Sequence, residues 1–233
     1  IMSILAKERD LYGIELKIGE KTADDCAVYI MESNSGYGVI TSYQVFPGIE
    51  LLYNDFHMEN CSVNKRSYAD IMEINHCRQG RFECDFQNGA CGYLEEGDLS
   101  INMLSNRTKN SYFPLDHYHG LTVVIDLPVA ARSILSVLND ISIDLYALRD
   151  KLCSDNKFFI MRAKDSVEHI FSELYRVPDE VKYGYFKLKV LELLLFLSVV
   201  DASDKREVRP YFPKNQIAIV KAIKEYMTSN LER

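Results

Sequence analysis

The sequence predicts an α+β fold in which a β-sandwich or small barrel comes first and helices follow. Short runs of β-branched and aromatic residues fill the first half, and turn signals separate them. After Pro128 the apolar residues switch to a period near 3.6. At 233 residues the chain is long enough for one sizeable core, or for a core with a smaller helical unit.

Residues 1–38 read as an N-terminal extension without an assigned role. Strands are expected at 39–43, 49–56, 71–77, 81–86, 99–103 and 121–126, within a barrel spanning 39–127. Pro47-Gly48, Gln79-Gly80, Asn88-Gly89 and Gly97-Asp98 mark turns, because Gly accepts positive φ and Asn or Asp caps its own turn. Helices are expected at 129–138, 145–152, 167–175 and 181–200, within a helical region spanning 128–201. The last of these is apolar almost all round. One face suits the core, and the other calls for a central position or a second chain, which makes Leu188, Leu191 and Leu195 candidate dimer contacts.

Residues 202–213 read as a linker, since Pro210 and Pro213 bar a continuous helix. From 214 to 233 an amphipathic helix follows, with Ile217, Val220, Ile223, Met227 and Leu231 opposite Lys221, Lys224 and Glu225. That stripe lacks downstream partners, so the expectation is a chain cut inside a following domain of roughly 70 to 90 further residues.

Charge narrows the function. The net charge is −7, yet from Lys205 onward seven basic residues face three acidic ones, so the preceding body carries a negative excess of eleven. Such a body repels phosphate backbones and is a poor nucleic-acid binder in its own right. The longest apolar run, near Leu188 to Val200, is broken by Lys189 and Glu192 and is too short to span a bilayer, so the chain reads as cytoplasmic, with no membrane partner. Six cysteines without a CxxC pair read as reduced, buried thiols. No G-x-S-x-G elbow, HExxH helix, P-loop or dinucleotide turn is present; no catalytic residue is assigned, and the chain reads as a non-enzyme.

Three stretches then carry a resemblance: Glu73-Ile74-Asn75-His76-Cys77-Arg78-Gln79-Gly80-Arg81, Leu94-Glu95-Glu96-Gly97-Asp98-Leu99, and Tyr118-His119-Gly120-Leu121-Thr122-Val123. In this order they resemble the cupin-like sensor domain of bacterial AraC/XylS-type transcription regulators. Tyr112-Phe113-Pro114-Leu115 before Tyr118 is similar to the siderophore-responsive branch, and Gln216 to Leu231 to the opening helix of the family's helix-turn-helix domain. The resemblance implies a cupin-like β-barrel or jelly roll that binds a small-molecule effector, an α-helical dimerisation region giving a homodimer, and the first helix of a truncated DNA-binding domain. Operator DNA would be contacted only through the missing C-terminal part. It also carries over His119 and Leu121 as residues facing the ligand.

Glu73 and Gly80 match the E-x6-G half of the cupin metal signature, but no H-x-H precedes Glu73, so no metal ligand and no cofactor is assigned. His117-x-His119 places two imidazoles on one strand face, a pattern also common by chance. The region around Gly80 allows two hairpin registers. A three-residue loop Arg78-Gln79-Gly80 puts Met72, Ile74, His76, Phe82, Cys84 and Phe86 on one face, with Glu73 and Asn75 opposite. A two-residue turn Gln79-Gly80 puts Glu73, Asn75, Phe82 and Cys84 together. Polarity sorts better in the first. The pocket set is therefore Met72, Ile74, His76, Phe82, His119 and Leu121, with Glu73 retained from the second register. Two other readings stand beside this one: a metal-dependent cupin enzyme, and a module that binds another protein.

Overall fold

The computed structural model describes residues 17–18, 26–61, 70–86, 90–105, 108–137, 143–154, 158–163, 165–202 and 212–231. Within them lie strands β1 (Lys17–Ile18), β2 (Cys26–Ser33), β3 (Gly36–Phe46), β4 (Ile49–His57), β5 (Asn60–Cys61), β6 (Ile71–Phe86), β7 (Ala90–Glu95), β8 (Asp98–Met103), β9 (Thr108–Tyr112), β10 (Tyr118–Asp126), β11 (Phe159–Arg162) and β12 (Phe212–Pro213). Five helices are described: α1 (Leu127–Val137), α2 (Leu145–Leu152), α3 (Asp165–Leu174), α4 (Lys182–Val199) and α5 (Lys214–Leu231). Strands come first and helices after, as the α+β reading expects.

Every ladder is antiparallel, and β6 joins two of them. Residues 71–80 of β6 pair with β10, and residues 72–76 also pair with β8 on the other edge. The second half of β6 leaves this sheet to pair with β7 and β9. Consecutive strands β1 to β4 extend the first sheet beyond β10.

Side-chain alternation gives the first sheet two faces. Leu51, Ile74, Leu99, Ile101, Leu121 and Val123 point outward into the large apolar core beneath the helices. Leu52, Cys77, Tyr118 and Val124 point inward, together with Tyr29 and Phe113. Burying this many full side chains on both faces, each worth about 1.5–3 kcal/mol, is what holds the layers together.

The helices are anchored at their ends. Asp144 caps α2, accepting from the backbone N–H of Tyr146 and Ala147 at 2.9 Å each. Lys151 of α2 donates to Leu197 O and Ser198 O, placing positive charge on the C-terminal carbonyls of α4. Helix α4 buries Phe186, Val190, Leu193, Leu194 and Leu197, while Leu188 is 66% and Val199 78% exposed. On α5, Ile219, Val220, Ile223, Tyr226 and Met227 are all exposed. No helix among the described residues is long and apolar enough to cross a membrane. All six cysteines are buried thiols that form no disulfide.

Three expectations need correction. No hairpin forms at Gly80: β6 runs straight through it as one strand. Pairing slips there, with Cys77 opposite Gly120 but Gln79 opposite His119, so Arg78 is an extra, bulged residue. The sheet also begins earlier than residue 39, because β2 pairs with β3 from Cys26 to Ser33. Finally, the region read as helical contains β11, which pairs with β8. The Asn88-Gly89 turn, residues 203–211 of the expected linker and residues 62–69 just before Asp70 lie outside the described residues.

Gly80 has φ of +88°, and a Cβ there would sit 2.3 Å from His117 O. Gly80→Ala is expected to destabilise the fold by more than about 1 kcal/mol, through a conformation L residues disfavour and a backbone clash. Urea denaturation monitored by circular dichroism checks this; an unshifted midpoint would rule out the bulged geometry.

Candidate ligand cavity

Because Arg78 is bulged, the alternation of β6 changes phase partway along. Glu73 and Asn75 face inward before the bulge, and Phe82, Cys84 and Phe86 face inward after it. These five meet Leu52, Asn54 and Phe56 of β4, Asn102 of β8, and Tyr118 and Thr122 of β10 around a cavity of about 100 Å³. Phe113 and Phe158 close its rim.

The floor of the cavity is a hydrogen-bonded row crossing four strands. Asn54 Nδ2 donates to Thr122 Oγ1 at 2.8 Å, and Thr122 Oγ1 donates to Asn75 Oδ1 at 2.9 Å. Asn75 Nδ2 donates in turn to Asn102 Oδ1 at 3.3 Å, and Asn102 Nδ2 to Glu73 Oε2 at 3.3 Å. Each amide is oriented by its neighbour, so the row presents fixed dipoles ending on a carboxylate that is 5% exposed. Above it the rings pack at tilted angles: Phe82 and Phe113 centroids lie 5.9 Å apart, and Phe56 and Phe113 5.3 Å apart. Complete burial pushes the Tyr118 hydroxyl well above its ordinary pKa, so it stays protonated. Gly92 leaves the space that Phe158 occupies, since a Cβ there would meet its ring at 2.9 Å.

This lining suits a small ligand with an apolar body and one hydrogen-bonding end. No histidine is among the lining residues; the inner face offers amides, hydroxyls, one carboxylate and the thiols of Cys61 and Cys84, and among the described residues its thiols and carboxylate do not come together as a metal-ligand cluster.

Of the residues singled out in the sequence, Glu73 and Phe82 line the cavity. Met72, Ile74 and Leu121 point the other way, into the core under the helices. His119 lies on that same outward face, paired across the ladder with Asp55. His76 also faces outward and borders a second, polar cleft of about 360 Å³ with Arg78, Glu96, Glu168, Tyr175 and Arg176. There His76 Nε2 lies 3.1 Å from Glu168 Oε2, and its ring stacks flat on Phe171 at 4.1 Å. The Arg78 guanidinium covers the Tyr175 ring at 4.1 Å. Burial, with help from the charges of Asp98 and Glu96, pushes the Cys77 thiol up to about 12, which removes it as a nucleophile near neutral pH.

The polarity argument failed because it assumed one unbroken alternation on each side of a turn. Asn54, Asn102 and Thr122 carried no signal, being ordinary polar residues in strands. Phe158 was masked by its place between helical segments.

No family model matches the chain, and no curated protein matches it. Among solved structures the chain is similar to fatty-acid-bound ToxT from Vibrio cholerae, at 12% identity and a TM-score of 0.41, over 64% of this chain and 54% of that one. It is also similar to the AraC-like transcriptional activator CuxR, at 8% identity and a TM-score of 0.44, over 82% of this chain and 65% of that one. A Cupin 2 conserved barrel domain protein from Salinispora arenicola is matched at 16% identity and a TM-score of 0.32, over 50% of this chain and 86% of that one. The chain thus spans about half the length of ToxT and 65% of CuxR.

Asn75→Leu is expected to cost about 1–3 kcal/mol, because it strands the Thr122 hydroxyl and the Asn102 amide in a buried row. Chemical denaturation measures it, and a neutral result would show that the row is not a connected network.

Proposed function

We propose that this chain is the effector-binding and dimerising part of an AraC-type transcription regulator. The observation that carries the reading is the cavity itself: a buried polar row under an aromatic rim, in a barrel whose outer face is covered by helices. The residue order resembling the family's sensor domain, and the acidic charge of the body, support the same assignment. DNA contacts belong to a helix-turn-helix unit that α5 opens, its exposed Ile219, Val220, Ile223 and Met227 serving as the docking face for the remaining helices.

In this reading the chain acts by binding and does no chemistry. A cavity of about 100 Å³ holds the volume of roughly three waters, well below the several hundred cubic ångströms usual for ligand pockets. An effector of ordinary size therefore enters by displacing the aromatic rim. Phe158 is the rim residue that immediately precedes β11, and β11 leads to α3. Effector binding thus favours one arrangement of rim and helices over another, which is a population shift whose size equals the ligand's difference in affinity for the two.

Dimerisation belongs to α4. Leu188 and Leu195 are exposed seven residues apart, with Leu191 half-buried between them, so the three form a stripe along one helix face. Leu188→Glu with Leu195→Glu is expected to convert a sedimenting dimer into a monomer with unchanged circular dichroism. A wild-type monomer at micromolar concentration would remove α4 as the interface.

The effector reading is tested on the full-length regulator by titrating operator affinity with and without a bound small molecule. An affinity change of at least about fivefold is expected, corresponding to the 1 kcal/mol lower end of typical allosteric coupling. Phe82→Trp, which fills the cavity, is expected to abolish that change while leaving operator binding itself intact. Equal operator affinity with every ligand shown to occupy the barrel would overturn the proposal.

A further inference from the structure

We propose that the outer face of the β4–β10 pair binds a divalent transition-metal ion of the zinc class through Asp55, His57 and His119. This site lies on the opposite face of the strands from the cavity and is independent of the effector reading. Pairing on the ladder sets His119 directly across from Asp55, and His57 follows Asp55 by two residues. Strand alternation therefore sends all three side chains off the same face.

The distances suit one shared ion. Asp55 Oδ1 lies 2.8 Å from His57 Nε2 and 3.4 Å from His119 Nε2, and the three ligand atoms all fall within 4.8 Å of one another. Zinc bonds of about 2.0–2.2 Å to nitrogen and oxygen separate adjacent tetrahedral ligands by roughly 3.3–3.6 Å. Small side-chain adjustments bring all three to that spacing.

A second observation points the same way. Asp55 Oδ1 is shielded from water, yet it takes no hydrogen bond from either imidazole. Two ring nitrogens beside a carboxylate oxygen, with neither N–H aimed at it, fit three donors arranged around a common cation. Their exposure, 51% for Asp55, 42% for His57 and 33% for His119, leaves the ion a path from solvent.

The surroundings supply orientation. His57 packs against the Tyr37 ring at 5.3 Å and meets His119 edge-on at 5.4 Å. His117 stands beside His119 with ring centroids 6.1 Å apart. Its Nδ1 can only donate to Leu115 O, at 2.8 Å, so the lone pair sits on Nε2. A backbone carbonyl holding the far nitrogen is the usual support for a metal-ligating histidine, which suits His117 to a fourth position. Two imidazoles and a carboxylate favour zinc, copper or nickel over magnesium or calcium.

The test uses the whole chain, stripped with a chelator and titrated with Zn²⁺ by calorimetry. One ion per chain is expected at about pH 7.5. His57→Gln, His119→Gln and Asp55→Asn are each expected to weaken binding by at least about tenfold, as loss of a supporting or direct ligand does. Circular dichroism verifies that the variants stay folded. Co²⁺ substitution must give absorption without a thiolate charge-transfer band, which separates this site from the six buried cysteines. Failure of saturable uptake, undiminished uptake in the His57→Gln/His119→Gln double variant, or a thiolate band would each overturn the proposal.

Discussion

A single extra residue, Arg78, governs how this barrel is built. β6 must serve two sheets, and a strand that serves both has to bend and re-aim its side chains between them. The bulge does both, since two residues of β6 fall against one step of β10 and the local twist increases. Without it, keeping Glu73 and Asn75 inward would turn Phe82, Cys84 and Phe86 to solvent, and the cavity would lose its rim. Gly80 follows from the same constraint: the chain passes within van der Waals contact of the His117 carbonyl, with positive φ. Only a residue without Cβ meets both demands cheaply.

The outward face of the same sheet explains how the barrel and helices behave as one body. Tyr53 of β4 donates its hydroxyl to Leu174 O at 2.6 Å, fastening the sheet to the end of α3. Burial raises that hydroxyl's pKa, so the donor persists across the physiological range. From α3, His169 reaches Glu192 of α4 at 2.9 Å, and Lys189 bridges Glu192 and Glu173. Burial opposes ionisation of Glu192, but bonds from Lys189 and His169 outweigh it and hold the carboxyl below its ordinary range. A displacement at the cavity rim thus has a packed and hydrogen-bonded route to the helix whose exposed stripe is the proposed dimer face.

The order of strands and helices was legible because periodicity is a local property. Leu145–Leu152 coincides with its expectation, and the other three core helices lie within two residues of theirs. The acidic body and the apolar second face of α4 were legible for the same reason, each being readable from composition along one segment. What could not be read was anything decided by register. The phase of β6 depends on its pairing with β10, some forty residues later in the chain, and no window around Gly80 contains that information. Strand β11 was hidden by its setting among helices, because its four residues reveal themselves only by pairing with β8.

The same limit explains the chemistry of the histidines. His117-x-His119 reads as an alternating pair that chance often produces, and nothing in its neighbourhood distinguishes it from a surface strand. Asp55 and His57 read just as plainly, as polar residues at the end of β4. Only the ladder that sets His119 across from Asp55 puts the three together, on the face turned away from the cavity. One strand pair therefore presents two chemistries back to back. Its inner face carries amides and rings that suit an organic ligand, and its outer face carries imidazoles and a carboxylate that suit a cation.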